Sequence, residues 1–422
     1  MLITIEDIST FKKKALAFAN QFEICCVLDS NQYQDPYSSF DLIIAFDYTQ
    51  ILECKNQNDA FNQLTFFRAQ NSQWIFGGLG YDLKNEIEVL SSDNDDHLQF
   101  PDLFFFAPKH LLKLKGNKLA LVSNEAQFIW EKINELILKD EIVYPKPAIQ
   151  DRFSKQEYVD TVNKIRKEIS KGNIYESNFC MEYFAEDVVI DPTLVYEKLN
   201  QLSPTPFSNY FKWRDKYIIS ATPERFLSKR GNKLISQPIK GTARRSNNIL
   251  EDEQIKKDLF HHPKEQQENV MIVDLVRNDL TKSAKKGSVK VEELFGVYSF
   301  KQVHQMISTV VCELREGIDN VEVIKNSFPM GSMTGAPKIK AMQLMEHYEK
   351  SKRGMYSGAI GYFSPNNDFD FNVVIRTILY NSSNKYLSFQ VGSAITYYAD
   401  AEKEYEECLL KAKAIIEVLV KQ

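Results

Sequence analysis

The chain has 422 residues, 43% hydrophobic and 26% charged, with a formal net charge of −5. That fits a folded globular protein with one large core or two packed domains. It excludes a broad phosphate-binding surface, so no nucleic acid is expected, and no apolar run nears the roughly 18 residues of a membrane span.

Taken in chain order, Ile24–Leu28, Leu42–Phe46 and Leu119–Ser123 are short apolar runs between polar breaks, which predict strands. Asp102–Lys115 continues this pattern, and Gly116–Asn117 is a hairpin-turn pair. Pro145 and Pro147 interrupt any regular element over Tyr144–Gln150, which predicts a boundary between an N-terminal region, 1–148, and a C-terminal region, 149–422. Ser154 and Glu157 have capping-box spacing. Tyr158, Val162, Ile165 and Ile169 then recur at helical spacing, with Gly172 where the helix should stop. Ile218–Ser220 and Phe226–Ser228 read as strands, and a turn at Gly231–Asn232 leads into Lys233–Ile239. One long helix is predicted from about Leu250 to Leu280, and two more over Pro337–Tyr348 and Glu402–Val420. Clusters of strands set apart from clusters of helices predict an α+β fold.

Met1–Lys14 carries two acidic residues and no apolar segment, unlike a secretory signal. The six cysteines form no C-x-x-C pair, which points to no zinc site and no disulfide framework. A cytoplasmic protein is the expectation.

Four features carry possible chemistry. Glu265 and Glu268 are three apart on a predicted helix, as are Glu404 and Glu407, so each pair shares a face. Brought together, the two faces would attract a hard cation such as Mg²⁺; apart, they are solvated acidic surface. Gly331–Pro337 precedes a helix and reads either as an anion-binding turn or as an ordinary tight one. Lys240, beside a glycine in Pro238–Thr242, faces a pocket or lies on the surface. Glu224, His304 and Arg376 are polar groups in apolar settings, and each alone is as readily a paired core residue as a ligand.

Together these segments resemble the chorismate-utilising enzymes nearly end to end. Glu268–Asp279 (ENVMIVDLVRND) resembles the central helix of that family, and Phe328–Lys338 (FPMGSMTGAPK), Arg353–Gly361 (RGMYSGAIG) and Gly392–Thr396 (GSAIT) resemble its later motifs, in family order. The resemblance implies a large two-sheet antiparallel β core with helices packed outside. It implies that Glu268 and Glu407 bind Mg²⁺, supported by Glu265 and Glu404, and that the metal neutralises the ring carboxylate of chorismate. Arg376, Tyr356 and the Gly392 backbone would hold the enolpyruvyl carboxylate. His304 would lie against the ring, Glu224 would protonate the departing hydroxyl, and Thr242, Gly331, Thr334 and Gly335 would belong to the substrate pocket.

Lys240 separates the branches. The branch that makes anthranilate usually has alanine in this motif, and the branch that aminates C4 of chorismate has lysine. That resemblance implies that Lys240 is a covalent nucleophile, the competing role being charge attraction for a substrate carboxylate. A free lysine has a pKa of about 10.4, so half-neutralisation at pH 7 costs about 4.6 kcal/mol, which burial and a nearby cation would have to supply. Glu176 departs from the family, whose aminating branches usually have glutamine there and whose isochorismate branch has a catalytic lysine; it excludes the lysine base, and a tolerated polar substitution is the expectation. Val27–Ser30 and Asp35–Ser38 resemble a segment that binds tryptophan in related chains, which would place Leu28 and Ser30 at such a site; plain strand packing explains them equally. No cysteine has a glycine within two residues, as a glutaminase nucleophile turn requires, so ammonia is expected from a separate glutamine amidotransferase subunit. The competing expectations are amination at C2 with loss of pyruvate, and a non-catalytic chorismate- or tryptophan-binding regulator.

Overall fold

The computed structural model describes residues 1–55, 59–138 and 144–420. Period-two alternation organises it. In Ile24–Asp29, Ile24 and Cys26 enter one hydrophobic core while Cys25 and Val27 enter another. Leu42–Phe46 divides the same way, with Ile43 and Ala45 on one side and Leu42, Ile44 and Phe46 on the other. Strands buried on both faces lose the polar half of the alternation and read as the unbroken apolar runs seen in the sequence.

The twenty strands among the described residues form one hydrogen-bonded, antiparallel network. Its hinge is a ribbon of two 13-residue strands, Leu42–Cys54 and Leu103–Lys115, paired along their length with a register shift between Tyr48 and Gln50. From one end, pairing runs through Ile24–Asp29, Ser208–Trp213, Lys216–Ser220, Thr377–Asn381 and Tyr386–Ile395 to Glu176–Ala185. From the other, it runs through Ile75–Leu79, Ala359–Phe363, Phe369–Val373, Arg225–Arg230 and Lys233–Gln237 to Val303–Glu313. The two arms face each other. Phe104, where the ribbon pairs with the second arm, meets Phe211 and Trp213 on the first at ring centroids 5.3 and 4.9 Å apart. The expected two-sheet core is therefore present, its sheets continuous through the ribbon, and strands from both sides of residue 148 stand next to one another in each.

Helices close the outer face of the first arm. Lys155–Ser170 carries the capping box read from the sequence, and its buried residues include Tyr158, Val162, Ile165 and Ile169. Pro192–Leu202 and Ala401–Val420 pack into the same core. The long helix expected from about Leu250 to Leu280 is instead two, Ile249–Phe260 and Pro263–Thr281. Pro263 has no N–H to continue the first helix but suits the first turn of the second, whose cap His262 accepts from the Glu265 amide. The break sets Glu265 and Glu268 in the opening turns of a new helix. No helix among the described residues is long and apolar enough to cross a membrane.

Candidate active site

The strands Ile239–Arg244 and Tyr386–Ile395 and the helices Pro263–Thr281 and Ala401–Val420 meet around a cavity of about 580 Å³. That size suits a small organic acid.

All four glutamates of the two helical pairs line it. Glu268 and Glu404 are buried. Burial pushes the Glu268 carboxyl up to about 7, and it raises Glu265 and Glu404, where repulsion from Glu407 adds to it. Two lysines offset this charge. Lys264 Nζ lies 3.2 Å from Glu404 Oε1 and 3.6 Å from Glu268 Oε1, and Lys411 Nζ lies 2.7 Å from Glu407 Oε1. Lys411 also donates to the Gly392 carbonyl at 2.8 Å. Glu268 Oε1 is buried and accepts no hydrogen bond. Among the described residues no three His, Cys, Asp or Glu side chains converge closely enough to hold a metal alone. Mg²⁺ does not need three: it keeps several waters and takes one or two carboxylates, and a carboxylate oxygen that accepts no hydrogen bond suits it.

Lys240 enters the cavity from its strand, with a side chain 10% exposed. The next residue, Gly241, has φ +102°, and a Cβ there would meet Glu265 Oε2 and Met306, so glycine lets helix and strand close together. Lys240 Nζ lies 2.9 Å from Glu176 Oε1. Burial works to lower the Lys240 pKa, as the nucleophile expectation requires, but Glu176, Glu268 and Glu407 outweigh it and hold the ammonium above its ordinary value. The free amine expected from burial is thus not the resting form, because the chain supplies a counter-charge at Glu176.

Glu224 lines the cavity with Ser332. Burial pushes the Glu224 carboxyl up to about 7, with Ser332 and Lys240 opposing. The group can hold a proton near neutral pH. Arg376 and Tyr356 line the cavity together. Burial lowers the Arg376 pKa while Tyr356 and Glu407 oppose it, and among the described residues no carboxylate forms an ion pair with it. An unpaired, half-buried guanidinium facing a cavity is a place for a ligand carboxylate. Thr242 and Gly392 also line the space.

Four expected residues do not. His304 is buried behind the wall, its Nδ1 2.8 Å from Ser299 Oγ and its Nε2 3.0 Å from Asp252 Oδ1. Its neighbours Val303 and Gln305 line the cavity, and strand alternation turns His304 to the opposite face. Gly331, Thr334 and Gly335 also lie off the cavity, which takes only Ser332 and Met333 from that motif. Gly335 and Ala336 pair with Ser177 and Glu176, and a Cβ at Gly335 would come within 2.3 Å of the Glu176 carbonyl oxygen. The motif braces the strand that presents Glu176. Leu28 and Ser30 line a separate cavity of about 70 Å³ with Phe207, Tyr362 and Asn372, well under the roughly 300 Å³ at which ligand pockets begin.

Asn178, Gln305, Lys264, Lys411 and Ser332 line the main cavity without having been singled out. Lys411 and Lys264 had a local signal, as helical partners four residues from Glu407 and Glu268. The others reach the site through strand pairing or a loop.

The model of the chorismate binding enzyme family matches residues 19–417. The chain is 31% identical over 366 residues to aminodeoxychorismate synthase component 1 of Bacillus subtilis, covering 80% of this chain and 75% of that one. It is 34% identical over 367 residues to anthranilate synthase component 1 of Aquifex aeolicus, covering 82% and 74%. The fold superposes on anthranilate synthase component I from Streptococcus pneumoniae with a TM-score of 0.78 at 24% identity, covering 91% of this chain and 94% of that one. With a family match across nearly its whole length, the chain belongs to the chorismate-binding enzymes.

Proposed function

We propose that this chain replaces the C4 hydroxyl of chorismate with ammonia, giving 4-amino-4-deoxychorismate on the route to 4-aminobenzoate and folate. The observation that carries the reading is Lys240 lining the same cavity as Glu224. A nucleophile and a proton donor in one pocket are what displacement of a hydroxyl requires. Arg376 and Tyr356 would hold the enolpyruvyl carboxylate. Lys240 would form a bond to C2 while Glu224 protonates the C4 hydroxyl as it leaves, and ammonia would then add at C4 and release the lysine. Glu268 and Glu407, with Glu265 and Glu404 around them, would hold Mg²⁺, whose charge neutralises the ring carboxylate. Ammonia would come from a separate glutamine amidotransferase, since no cysteine here sits on a glycine-flanked turn. The relatives named "component 1" fit that division.

The test is to incubate the purified chain with chorismate, Mg²⁺ and an ammonium salt, and to measure pyruvate. Amination at C4 keeps the enolpyruvyl ether and releases none. Stoichiometric pyruvate with a fluorescent aromatic product would assign the chain to the anthranilate reaction instead.

A further inference from the structure

Glu176 is a buried charge that the reaction scheme above leaves unused. It is 1% exposed and opens the strand Glu176–Ala185. Its Oε2 has no hydrogen-bond partner, and its Oε1 faces Lys240 Nζ at 2.9 Å. Among the described residues no other cation forms an ion pair with it, and no other carboxylate forms one with Lys240. Glu268 and Glu407 on the two helices, with Glu224 and Glu265, act on Lys240 only from farther away. The ionised form of Glu176 is therefore held by Lys240 alone. While that lysine is a neutral amine, the buried carboxylate has no counter-charge, and taking up the lysine's proton neutralises it. The backbone is fixed for this by the Ala336–Glu176 pairing.

We infer that Glu176 is the proton acceptor for Lys240, taking one ammonium hydrogen on Oε1 as the amine attacks and returning it when the amine leaves. The inference rests on the amination reading above. In the first half, the ammonium and carboxylate become a free amine and a carboxylic acid. The amine lone pair forms the N–C2 bond, the ring π pairs shift, and the C4–O bond breaks. The departing oxygen keeps that pair, takes the Glu224 proton and leaves as water. The attached nitrogen is then a secondary ammonium with two hydrogens. In the second half, the ammonia lone pair forms the N–C4 bond and the C2–N bond breaks, its pair returning to the lysine nitrogen. The new C4 ammonium gives one proton to Glu224, and Glu176 gives its proton back to Lys240. The net change is ammonia in and water out.

The separation of 2.9 Å lies within the reach of direct proton transfer. Glu176→Gln keeps the side-chain shape and removes the base. With ammonia withheld and chorismate and Mg²⁺ supplied, mass spectrometry of rapidly quenched samples follows the chorismate-derived adduct on the Lys240 peptide from about pH 6.5 to 9.5. The adduct rate of Glu176→Gln should fall about a hundredfold or more at pH 7.5 and climb steeply with pH as hydroxide replaces the lost base. Glu176→Asp, which keeps a base, should recover part of the rate at neutral pH. A wild-type rate and pH profile in Glu176→Gln overturns the inference, and so does a loss that is the same at every pH, which marks a positioning role. If the unaltered chain makes the C4-amino product with no adduct, the inference falls and the amination reading stands. If it makes no C4-amino product, both fall.

Discussion

Lys264 Nζ lies 3.2 Å from Glu404 Oε1, bridging the two acidic helices where a divalent ion would compete with it. The Lys264 side chain is 41% exposed, so its charge is well screened. Lys264→Gln should lower the Mg²⁺ concentration for half-saturation a few-fold, because a competing cation is gone. Calorimetric titration of Mg²⁺ checks this, and weaker binding in the variant would mean that Lys264 organises the carboxylates instead.

Metal removal should abolish turnover. Glu268→Gln and Glu407→Gln should each lower it by roughly a hundredfold or more, since an amide oxygen is a poor substitute for a carboxylate on Mg²⁺. Both variants should keep the parent circular dichroism spectrum. Full activity in excess chelator contradicts the assignment.

Glu224→Gln should trade activity for stability. With its folded pKa raised from 4.5 to about 7, Glu224 costs nothing below pH 4.5, where the folded and unfolded chains both carry the proton. Between these values the unfolded chain ionises first and stability falls as pH rises. Above about pH 7 the full cost remains, on the order of 3 kcal/mol. Urea unfolding should therefore show the variant more stable than the parent by about 1–3 kcal/mol at pH 8 and equal to it near pH 4, with turnover down about a hundredfold.

Arg225 should matter to the fold and not to the chemistry. Its side chain is 0% exposed and pairs with Asp35 at 2.6 Å and Asp370 at 3.0 Å, tying a segment before residue 148 to a strand near the end of the chain. Arg225→Met removes the buried cation between the half-buried Asp35 and Asp370 and should cost about 3–5 kcal/mol in urea unfolding. Turnover measured well below the unfolding temperature should stay near the parent value, since Arg225 does not line the cavity.

The sequence made the local rules legible. The Ser154–Glu157 cap, the stripe from Tyr158 to Ile169 and the Gly116–Asn117 turn are all set by neighbours a few residues apart, and all are present. The spacing of Glu265 with Glu268 and of Glu404 with Glu407 put each pair on one helix face, but no spacing could bring the two helices together; that depended on the resemblance. Long-range register decided the rest. Val303–Glu313 offers a single face to the cavity, and which face is settled by pairing with Ile239–Arg244, so His304 turned away while Gln305 turned in. The helix break at Pro263 is encoded by the proline itself, while the apolar pattern on either side runs past it.

The purified chain supplied with glutamine in place of ammonium should make no product. Addition of a glutamine amidotransferase subunit should restore turnover. Glutamine-dependent turnover by the chain alone contradicts the separate-partner reading.

The most direct test of the central claim is where the nitrogen goes. The chain is incubated with chorismate, Mg²⁺ and ¹⁵N-ammonium, and the product is read by ¹H–¹⁵N correlation NMR. The account predicts ¹⁵N on C4 of a ring that keeps its enolpyruvyl ether, with the signal lost in Lys240→Arg because arginine stays protonated. Nitrogen on C2 of an aromatic ring, or a Lys240→Arg variant that labels C4 as fast as the parent, would contradict it.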